Sequence, residues 1–381
     1  MPKATDNRVM TMLNEKIFKA DERAAYSLRS IYSRFGYSRY KMSKFEEYDL
    51  YVRNKDFLIS DGIITFTDTN GKLLALKPDV TLSIIKNSKD VPGLVQKLYY
   101  DENVYRRTKG AHSFSEITQT GLECIGDIGA YDICEVLTLA VRSLEMIDRN
   151  YILDLCDAAL TGAILDEVTD DVIIRKKALE LIKSKNADEI TLMTNEGKFT
   201  SQGGKLLMCL TETYKNAESL KEKISSLTEC NSVLSALDSF CALCNTLDKI
   251  GVMNNINIDF SIVDALKYYS GIVFKGYIKG VPSTVLSGGQ YDNLMKKMGK
   301  SGKAIGFAVY LDVLQRHGKK ESEYDYDFVL IKDENTDAAT VIKQVEAITE
   351  NGSNVIVLSS IPENIRYRGI INLTSKTGEE Q

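Results

Sequence analysis

A long helical block separates two groups of strand-like segments, and this arrangement limits the folds that are open to the chain. From Tyr151 to about Val252 the apolar residues recur almost wholly at helical spacing, and no proline occurs between Pro92 and Pro282. Strand patterns occur both before and after this block. We therefore predict a helical insertion into a domain whose sheet is built from both ends of the chain.

The flanking segments predict an α+β domain with a small additional unit at its C-terminal side. Asn70-Gly71 lies between strand-like runs and is a strong signal for a β-hairpin over 63–77. We expect helices over 14–35, 131–146 and 310–317, and extended segments or strands over 37–45, 97–107, 114–125, 257–260, 268–278 and 305–309. The predicted domains are 1–150 and 253–318 as two parts of one core, 151–252 as the insertion, and 325–381 as a βαβ tail whose last residues are frayed.

Charge and hydrophobicity exclude several classes of partner. The net charge is −5 and no long basic run occurs, so the electrostatic footprint of a nucleic-acid-binding protein is missing. No apolar run is long enough to span a bilayer, and residues 1–16 lack the apolar core of a signal peptide. We therefore expect a cytoplasmic protein without a membrane or nucleic-acid partner.

The cysteine and histidine content gives little support for a metal site. Seven cysteines are present, and only Cys241 and Cys244 form a CxxC spacing, within a segment that is typical of an amphipathic helix. We interpret this pair as two buried residues one turn apart rather than as a metal or redox site. The only histidines are His112 and His317. We therefore predict no metal and no cofactor.

Two short patterns are candidates for a ligand pocket. Alternate residues of a strand share one face, so Gln119, Gly121 and Glu123 project the same way, with a glycine between two long polar side chains. An exposed sheet face with a bulge is the alternative. Asp79 follows Pro78 at the expected start of a helix, where a carboxylate either caps the helix or binds a ligand. Both alternatives stay open on the sequence pattern alone.

The segments LKYYSGIVFKGY, LSGGQYDNL and AIGFAVYLDVL, between Leu266 and Leu314, resemble the histidine-specific and ATP-binding elements of the histidyl-tRNA synthetase family. The runs QTGLE from Gln119 and KPDVT from Lys77 are similar to further motifs of that family. The resemblance covers roughly 14–317. It implies a class II aminoacyl-tRNA synthetase-like antiparallel sheet flanked by helices, and a homodimer.

The resemblance also implies a histidine-binding pocket. In the family the Gln and Glu of the first run read the amino group and the imidazole, and the acid and Thr of the second run hold the substrate ammonium. The arginine of the second class II motif corresponds either to Tyr105 or to Arg106. The implied histidine-binding residues are Asp79, Thr81, Arg106, Gln119, Glu123, Tyr268, Tyr269 and Tyr291.

The chain departs from the family at positions that carry its chemistry. Asp264 stands where the family has the arginine that promotes amino-acid activation, and Val313 stands where it has an arginine that clamps ATP phosphate. Gln290 likewise replaces an arginine. A valine cannot make a charge-assisted bidentate contact with phosphate. We therefore predict that no catalytic residues of the synthetase type remain.

A ligand pocket that is kept while the catalytic residues are lost is typical of a regulatory protein. Non-catalytic relatives of these synthetases serve as regulatory subunits of ATP phosphoribosyltransferase in histidine biosynthesis. The resemblance therefore implies a short-form catalytic subunit as partner, histidine as the feedback effector, and a homodimer within a hetero-oligomer. Two alternatives remain: a divergent histidyl-tRNA synthetase-like aminoacylating enzyme, or a sensor of another amino acid.

Overall fold

The computed structural model describes residues 19–55, 58, 62–107, 113–263, 269–317 and 323–374. The chain divides into two compact units, of which the larger is Ala20–His317 and the smaller contains 323–374. Residues 14–18 of the helix predicted over 14–35 lie outside the described residues, as does the frayed end predicted after 374.

The described elements alternate between strands and helices, with a series of six helices in the middle that only the short strand β8 interrupts. The helices are α1 Ala20–Arg34, α2 Tyr48–Arg53, α3 Thr81–Asn87, α4 Ala130–Ile147, α5 Ala158–Val168, α6 Val172–Lys183, α7 Ala187–Asn195, α8 Ser201–Cys209, α9 Ala217–Ser225, α10 Asn231–Ile250, α11 Asp292–Lys297, α12 Asp312–His317 and α13 Ala338–Glu350. The strands are β1 Ser38–Arg39, β2 Phe45–Glu47, β3 Thr65–Thr67, β4 Leu73–Leu76, β5 Val95–Arg107, β6 Phe114–Gly126, β7 Tyr151–Asp157, β8 Thr213–Tyr214, β9 Ile256–Asp259, β10 Ile272–Ile278, β11 Leu286–Gln290, β12 Lys303–Tyr310, β13 Tyr326–Ile331, β14 Val355–Leu358 and β15 Tyr367–Asn372.

One nine-stranded sheet organises the larger unit, in the order β1-β5-β6-β12-β11-β10-β7-β9-β8. Most neighbours are antiparallel, but β1 pairs with β5 and β7 pairs with β9 in parallel. The sheet therefore joins strands from before and after the helical block, and the α+β prediction is confirmed. The predicted antiparallel sheet is correct for its centre and wrong for these two pairs.

Helix α4 covers one face of this sheet and buries it. Ten of its residues are buried, which agrees with the apolar stripe that predicted a helix here. The packing is close: a Cβ atom at Gly276 of β10 would lie 2.6 Å from a methyl carbon of Leu144. A glycine is needed there because the helix and the strand leave no room for a side chain. The opposite face of the sheet is left free for polar groups.

A small three-stranded sheet, β2-β4-β3, borders the open face. Its β3–β4 hairpin confirms the turn predicted at Asn70-Gly71, where Gly71 has φ +79 and donates its amide hydrogen bond to the Asp68 carbonyl. Such a left-handed conformation favours glycine. Helix α3 follows this sheet and carries a buried apolar cluster with Val80, so that the start of α3 is fixed against the main sheet.

The helical insertion begins later than the sequence pattern predicts. Residues from Tyr151 to Asp157 form strand β7, which pairs with β10 along its whole length. The prediction of helix from Tyr151 is therefore wrong for these residues, because β7 is buried in the sheet and its apolar run fits either period. Helices α5 to α10 follow, and Cys241 and Cys244 lie buried on α10 as expected.

The smaller unit holds one more strand than predicted. β13, α13 and β14 form the expected βαβ arrangement, and β15 adds a third parallel strand on the other side of β13. β15 alternates half-buried and exposed residues. The strand signal in the sequence is weakened by Arg366, just before the strand, and by Gly369 at its centre. Across the described residues of both units, no helix is long and apolar enough to cross a lipid bilayer.

Candidate functional site

A polar pocket lies on the open face of the main sheet, on the side opposite α4. Strands β5, β6, β11 and β12 form its floor, and the start of α3 forms one wall. The side chains that line it include most of those predicted from the sequence and three that were not. They are Asp79, Thr81, Tyr100, Arg106, Gln119, Glu123, Tyr269, Ser287, Tyr291 and Tyr310.

Glu123 is the central acidic group of the pocket and is 2% exposed. Thr81 donates a hydrogen bond from its hydroxyl to Glu123 Oε1 over 2.8 Å, and the Tyr291 hydroxyl donates to Oε2. Burial raises the pKa of Glu123 to about 8, although these two hydrogen bonds act in the opposite direction. The carboxyl group is therefore mostly protonated at neutral pH in the empty pocket, and a cationic ligand would favour its charged form.

Tyr291→Phe tests this balance. The substitution removes a hydrogen bond that stabilises the carboxylate, so we expect the pKa of Glu123 to rise further, by roughly one pH unit. A carbon-13 NMR titration of the glutamate carboxyl carbons measures this directly. Tyr277→Phe, on a half-buried tyrosine of β10 that does not line the pocket, is the matched control. A pKa that stays the same or falls in Tyr291→Phe would contradict this account.

Asp79 and Arg106 form a second charged pair in the pocket. Asp79 is buried at the start of α3, where its Oδ1 accepts a hydrogen bond from the Leu82 amide at 3.0 Å. Its Oδ2 lies 3.7 Å from Arg106 Nη2, and Arg106 also donates from Nε to the Pro78 carbonyl at 2.7 Å. Burial raises the pKa of Asp79, and Arg106 partly offsets this. Asp79 thus caps the helix and also lines the pocket, and its binding of a ligand stays a prediction.

Gln119 presents an unused hydrogen-bond acceptor. Its side chain is 2% exposed, and its Oε1 has no hydrogen-bond partner among the described residues. A buried amide oxygen without a partner costs free energy, on the order of 1–3 kcal/mol. Because this oxygen lies in the wall of the pocket, a ligand with an N–H donor would satisfy it.

Three neighbouring strands in the floor of the pocket, β6, β11 and β12, each carry a glycine there: Gly121, Gly289 and Gly306. A Cβ at Gly121 would lie 2.5 Å from the Tyr100 hydroxyl oxygen, so the space beside this glycine is filled by the tyrosine of the paired strand. At Gly306 a Cβ would overlap Glu123 Oε2. Gly121 thus leaves room for another group, and that group is Tyr100 of the same chain.

Tyr269 enters the pocket from a segment that is not a strand. β10 begins at Ile272 rather than at Tyr268, because the amide of Ile272 donates to Gln290 Oε1 at 2.9 Å and the amide of Ser270 donates to the Gln290 carbonyl at 3.0 Å. A side chain thus takes the place of a strand partner. The predicted alternation of Tyr269 and Gly271 on one strand face is therefore wrong. Gly271 instead faces the Gln290 side chain.

The structure brings together seven of the eight predicted histidine-binding residues, namely Asp79, Thr81, Arg106, Gln119, Glu123, Tyr269 and Tyr291. Tyr268 lies outside the described residues, as do Asp264, Lys109 and His112. Arg106 lines the pocket, whereas Tyr105 donates its hydroxyl hydrogen bond to Glu116 at 3.0 Å.

Tyr100, Ser287 and Tyr310 were not predicted from the sequence. Tyr100 is paired directly with Gly121 across β5 and β6. An aromatic residue opposite a glycine would have indicated its place in the pocket, but this pattern can be recognised only when the register between the two strands is known. Tyr310 and Ser287 share a hydrogen bond of 2.8 Å between their hydroxyl groups. Both lie at the edge of the pocket, where the strand pattern gives no distinct signal.

The side of the site next to α12 has few side chains that could bind phosphate. Val313 is half-buried and packs against the main hydrophobic core, so its position presents no cation. Within the described part of the chain, no group of three or more His, Cys, Asp or Glu residues is placed to hold a metal ion. The pocket as described can pair with an ammonium group, a carboxylate and a polar ring.

A family model described as histidyl-tRNA synthetase matches residues 10–314. Among curated proteins, the chain is similar to the ATP phosphoribosyltransferase regulatory subunit of Clostridium kluyveri, with 32% identity over 75% of this chain and 74% of that protein. It is also similar to the protein of the same name from Caldanaerobacter subterraneus, with 31% identity over 77% of this chain and 78% of that protein.

Solved structures agree with this fold. An ATP phosphoribosyltransferase regulatory subunit/histidyl-tRNA synthetase from Bacillus halodurans superposes with a TM-score of 0.76 at 20% identity, covering 94% of this chain and 95% of that one. The ATP phosphoribosyl transferase (HisG:HisZ) complex from Thermotoga maritima gives a TM-score of 0.58 at 20% identity, over 75% of this chain and 96% of that one. The larger unit therefore has the class II synthetase-like fold that the sequence motifs predicted.

Proposed function

This chain belongs to the histidyl-tRNA synthetase family, in the group of ATP phosphoribosyltransferase regulatory subunits, and from that premise we propose that it binds free histidine and passes that signal to a separate catalytic subunit. The observation that carries the proposal is the convergence of seven predicted residues in one buried pocket. In this role the chain carries out no aminoacylation and acts by changing the activity of its partner.

The pocket complements each polar group of histidine. The ammonium group would pair with Asp79 and donate to the orphaned Oε1 of Gln119, which satisfies both a buried charge and a buried acceptor. The carboxylate would face Arg106, the cation already held by the Pro78 carbonyl. The imidazole would contact the hydrogen-bonded pair of Glu123 and Tyr291, beside the Tyr269 ring. An amino acid without a polar ring would leave Glu123 without a ligand partner.

The losses on the phosphate side favour binding over chemistry. An adenylate-forming reaction needs fixed positive groups around the phosphates, and this electrostatic stabilisation is usually the largest contribution to rate. Val313 packs into the hydrophobic core and supplies none. A pocket that only binds can still regulate, because a ligand that prefers one state of an assembly shifts the assembly toward that state.

We expect the affinity for histidine to be greatest between about pH 6.5 and pH 8. The proposed complex holds one proton between Glu123 and the imidazole. Below about pH 6.5 the free ligand and Glu123 each hold a proton, so one must be released on binding. Above pH 8 both have lost it, so one must be taken up. Binding is therefore weakened on either side of this range.

Calorimetry in buffers that differ in ionisation enthalpy measures the number of protons exchanged. The expected result is release at the acidic side, almost no exchange within the range, and uptake at the alkaline side. An affinity that stays flat across both limits would show that Glu123 and the imidazole do not share a proton.

Reconstitution tests the proposal as a whole. The protein is combined with a short-form ATP phosphoribosyltransferase catalytic subunit from the same source, and formation of phosphoribosyl-ATP is followed with and without histidine. We expect activity that depends on this chain and falls when histidine is added. Arg106→Gln, which removes the cation that faces the ligand carboxylate, is expected to assemble normally and to lose inhibition by histidine.

The same preparation separates the alternatives. Histidine-dependent exchange of pyrophosphate into ATP at an enzyme-like rate would favour the divergent synthetase and overturn the regulatory proposal. Binding of another amino acid in place of histidine would favour a different sensor. Sedimentation of the chain alone, and then with the catalytic subunit, tests the homodimer and the hetero-oligomer that we include in the proposal.

A further inference from the structure

A second cavity lies behind the main sheet, on the side that α4 covers. Its volume is about 720 Å³, within the range of small-molecule sites. Its walls are mostly apolar and come from α4, α10 and Phe35, with Ile133, Phe240 and Leu243 among them. None of the residues assigned to histidine lines it. The cavity and the histidine pocket lie on opposite faces of the main sheet, and β11 contributes to both.

One buried carboxylate stands at the inner end of this cavity. Asp157 ends β7 and is 7% exposed, and its Oδ1 accepts a hydrogen bond from the Ala159 amide at 2.7 Å. Throughout the described part of the chain it makes no ion pair, although a carboxylate so deeply buried is costly without one. Burial raises the pKa of Asp157 to about 6, so that it is ionised at neutral pH.

The other charged groups of the cavity are either paired, as Glu135 is, or exposed to solvent, as Arg142 is. Glu135 accepts hydrogen bonds from Lys97 at 2.6 Å and from the Tyr131 hydroxyl at 2.7 Å. The guanidinium of Arg142 lies over the Phe35 ring, 5.5 Å from its centre. The charge that remains to be compensated in this apolar space is therefore that of Asp157, and it is negative.

We propose that this cavity is a second ligand site, which takes a small molecule with a compact apolar body and a protonated amine that pairs with Asp157. The apolar walls bury the body, and the amine completes the ion pair that the fold leaves open. The site is independent of histidine binding. It is, however, adjacent to the histidine pocket, because Gln290 and Ile272 form part of its wall and also hold the segment that carries Tyr269.

Two probes of equal shape test the proposal: 1-aminoadamantane, which is cationic, and 1-adamantanol, which is neutral. Their dissociation constants for the full chain are measured by ligand-observed NMR. We expect the amine to bind at least tenfold more tightly than the alcohol. In Asp157→Asn, where an asparagine can still cap α5, we expect this preference to disappear. In Ala242→Trp, at an exposed position in the wall, we expect both probes to bind more weakly.

Glu123→Gln separates the two pockets, because it alters only the histidine site. We expect it to leave binding of the amine unchanged, and we expect histidine not to displace the amine. The proposal is overturned if neither probe binds, if the two bind equally, or if the preference survives in Asp157→Asn. It is also overturned if Glu123→Gln or added histidine removes the amine, since the probe would then occupy the histidine pocket.

Discussion

Replacing Glu123 by glutamine is expected to weaken histidine binding by at least about thirty-fold, which corresponds to the loss of one charge-assisted hydrogen bond. The glutamine keeps the volume of the side chain and its hydrogen bonds to Thr81 and Tyr291 remain possible. What is lost is the carboxyl group that shares its proton with the imidazole, which is mostly neutral in the free ligand at pH 7, and so becomes its charged partner. Titration calorimetry at pH 7 measures the difference.

The same substitution is expected to change how stability depends on pH. Because the folded pKa of Glu123 is raised from 4.5 to about 8, the stability that this group contributes to the ligand-free protein is fully present below the lower value and is lost as the pH rises toward the upper one. The loss from this group is at most on the order of 5 kcal/mol, taking 1.36 kcal/mol for each pH unit. Glu123→Gln should lose much less over the same range. The raised pKa of Asp79 acts in the same direction and remains.

Glu145→Gln is the control for both measurements. It makes the same chemical change at an exposed position of α4, so neither histidine affinity nor the pH profile should move. A Glu123→Gln protein that binds histidine within threefold of the wild type would show that this carboxylate does not read the ligand. A pH profile that stays unchanged in Glu123→Gln would show that another group carries the titration.

Gly306→Ala is expected to destabilise the protein by about 2–3 kcal/mol and to abolish histidine binding. A Cβ at this position of β12 would overlap Glu123 Oε2 and lie 2.5 Å from the Leu122 carbonyl oxygen, which is part of the neighbouring strand and has no freedom to rotate away. The strands must move apart or the glutamate must leave its place. Either change removes the acceptor at the centre of the pocket.

Denaturant unfolding with and without histidine checks this result, and Gly162→Ala is the matched control. Gly162 lies inside α5 with nothing within 4 Å of its Cβ position, so alanine there should stabilise the helix by roughly 0.5–1 kcal/mol. A loss of stability in Gly306→Ala together with a gain in Gly162→Ala would show that the first effect comes from a lack of space. The second substitution reports only the higher helix propensity of alanine. A Gly306→Ala protein as stable as the wild type would mean that β6 and β12 yield more easily than their spacing indicates.

The sequence predicts the elements that have one clear signal and misses those that depend on a partner. The Asn70-Gly71 turn and the long strands β5 and β6 have strong local patterns, and the structure confirms them. β7 reads as part of the helical block because a short buried apolar run has no distinct period, and only its pairing with β10 decides the matter. β15 was missed for a different reason, because Arg366 before it and Gly369 at its centre weaken its strand signal.

The residues of the site divide in the same way, into those with a local sequence signal and those that depend on a partner. Gln119 and Glu123 could be placed on one face from alternation alone, since a strand fixes which side chains share a face. Tyr100 could not, because its role depends on the register between β5 and β6. The start of β10 could not either, because the side chain of Gln290 supplies the hydrogen bond that a neighbouring strand would otherwise give.

The sheet has a consequence for the order in which this protein can be made. Asp79 and Glu123 lie before the helical insertion and Tyr291 lies after it, so a ribosome completes half of the pocket long before the other half exists. β7 and β9 are neighbouring parallel strands, so the insertion is also the crossover connection that leads from the end of β7 back to the start of β9. A nascent chain released within α10 would therefore present an unpaired edge of β6, where β12 belongs, and would lack the part of the pocket that carries Tyr291.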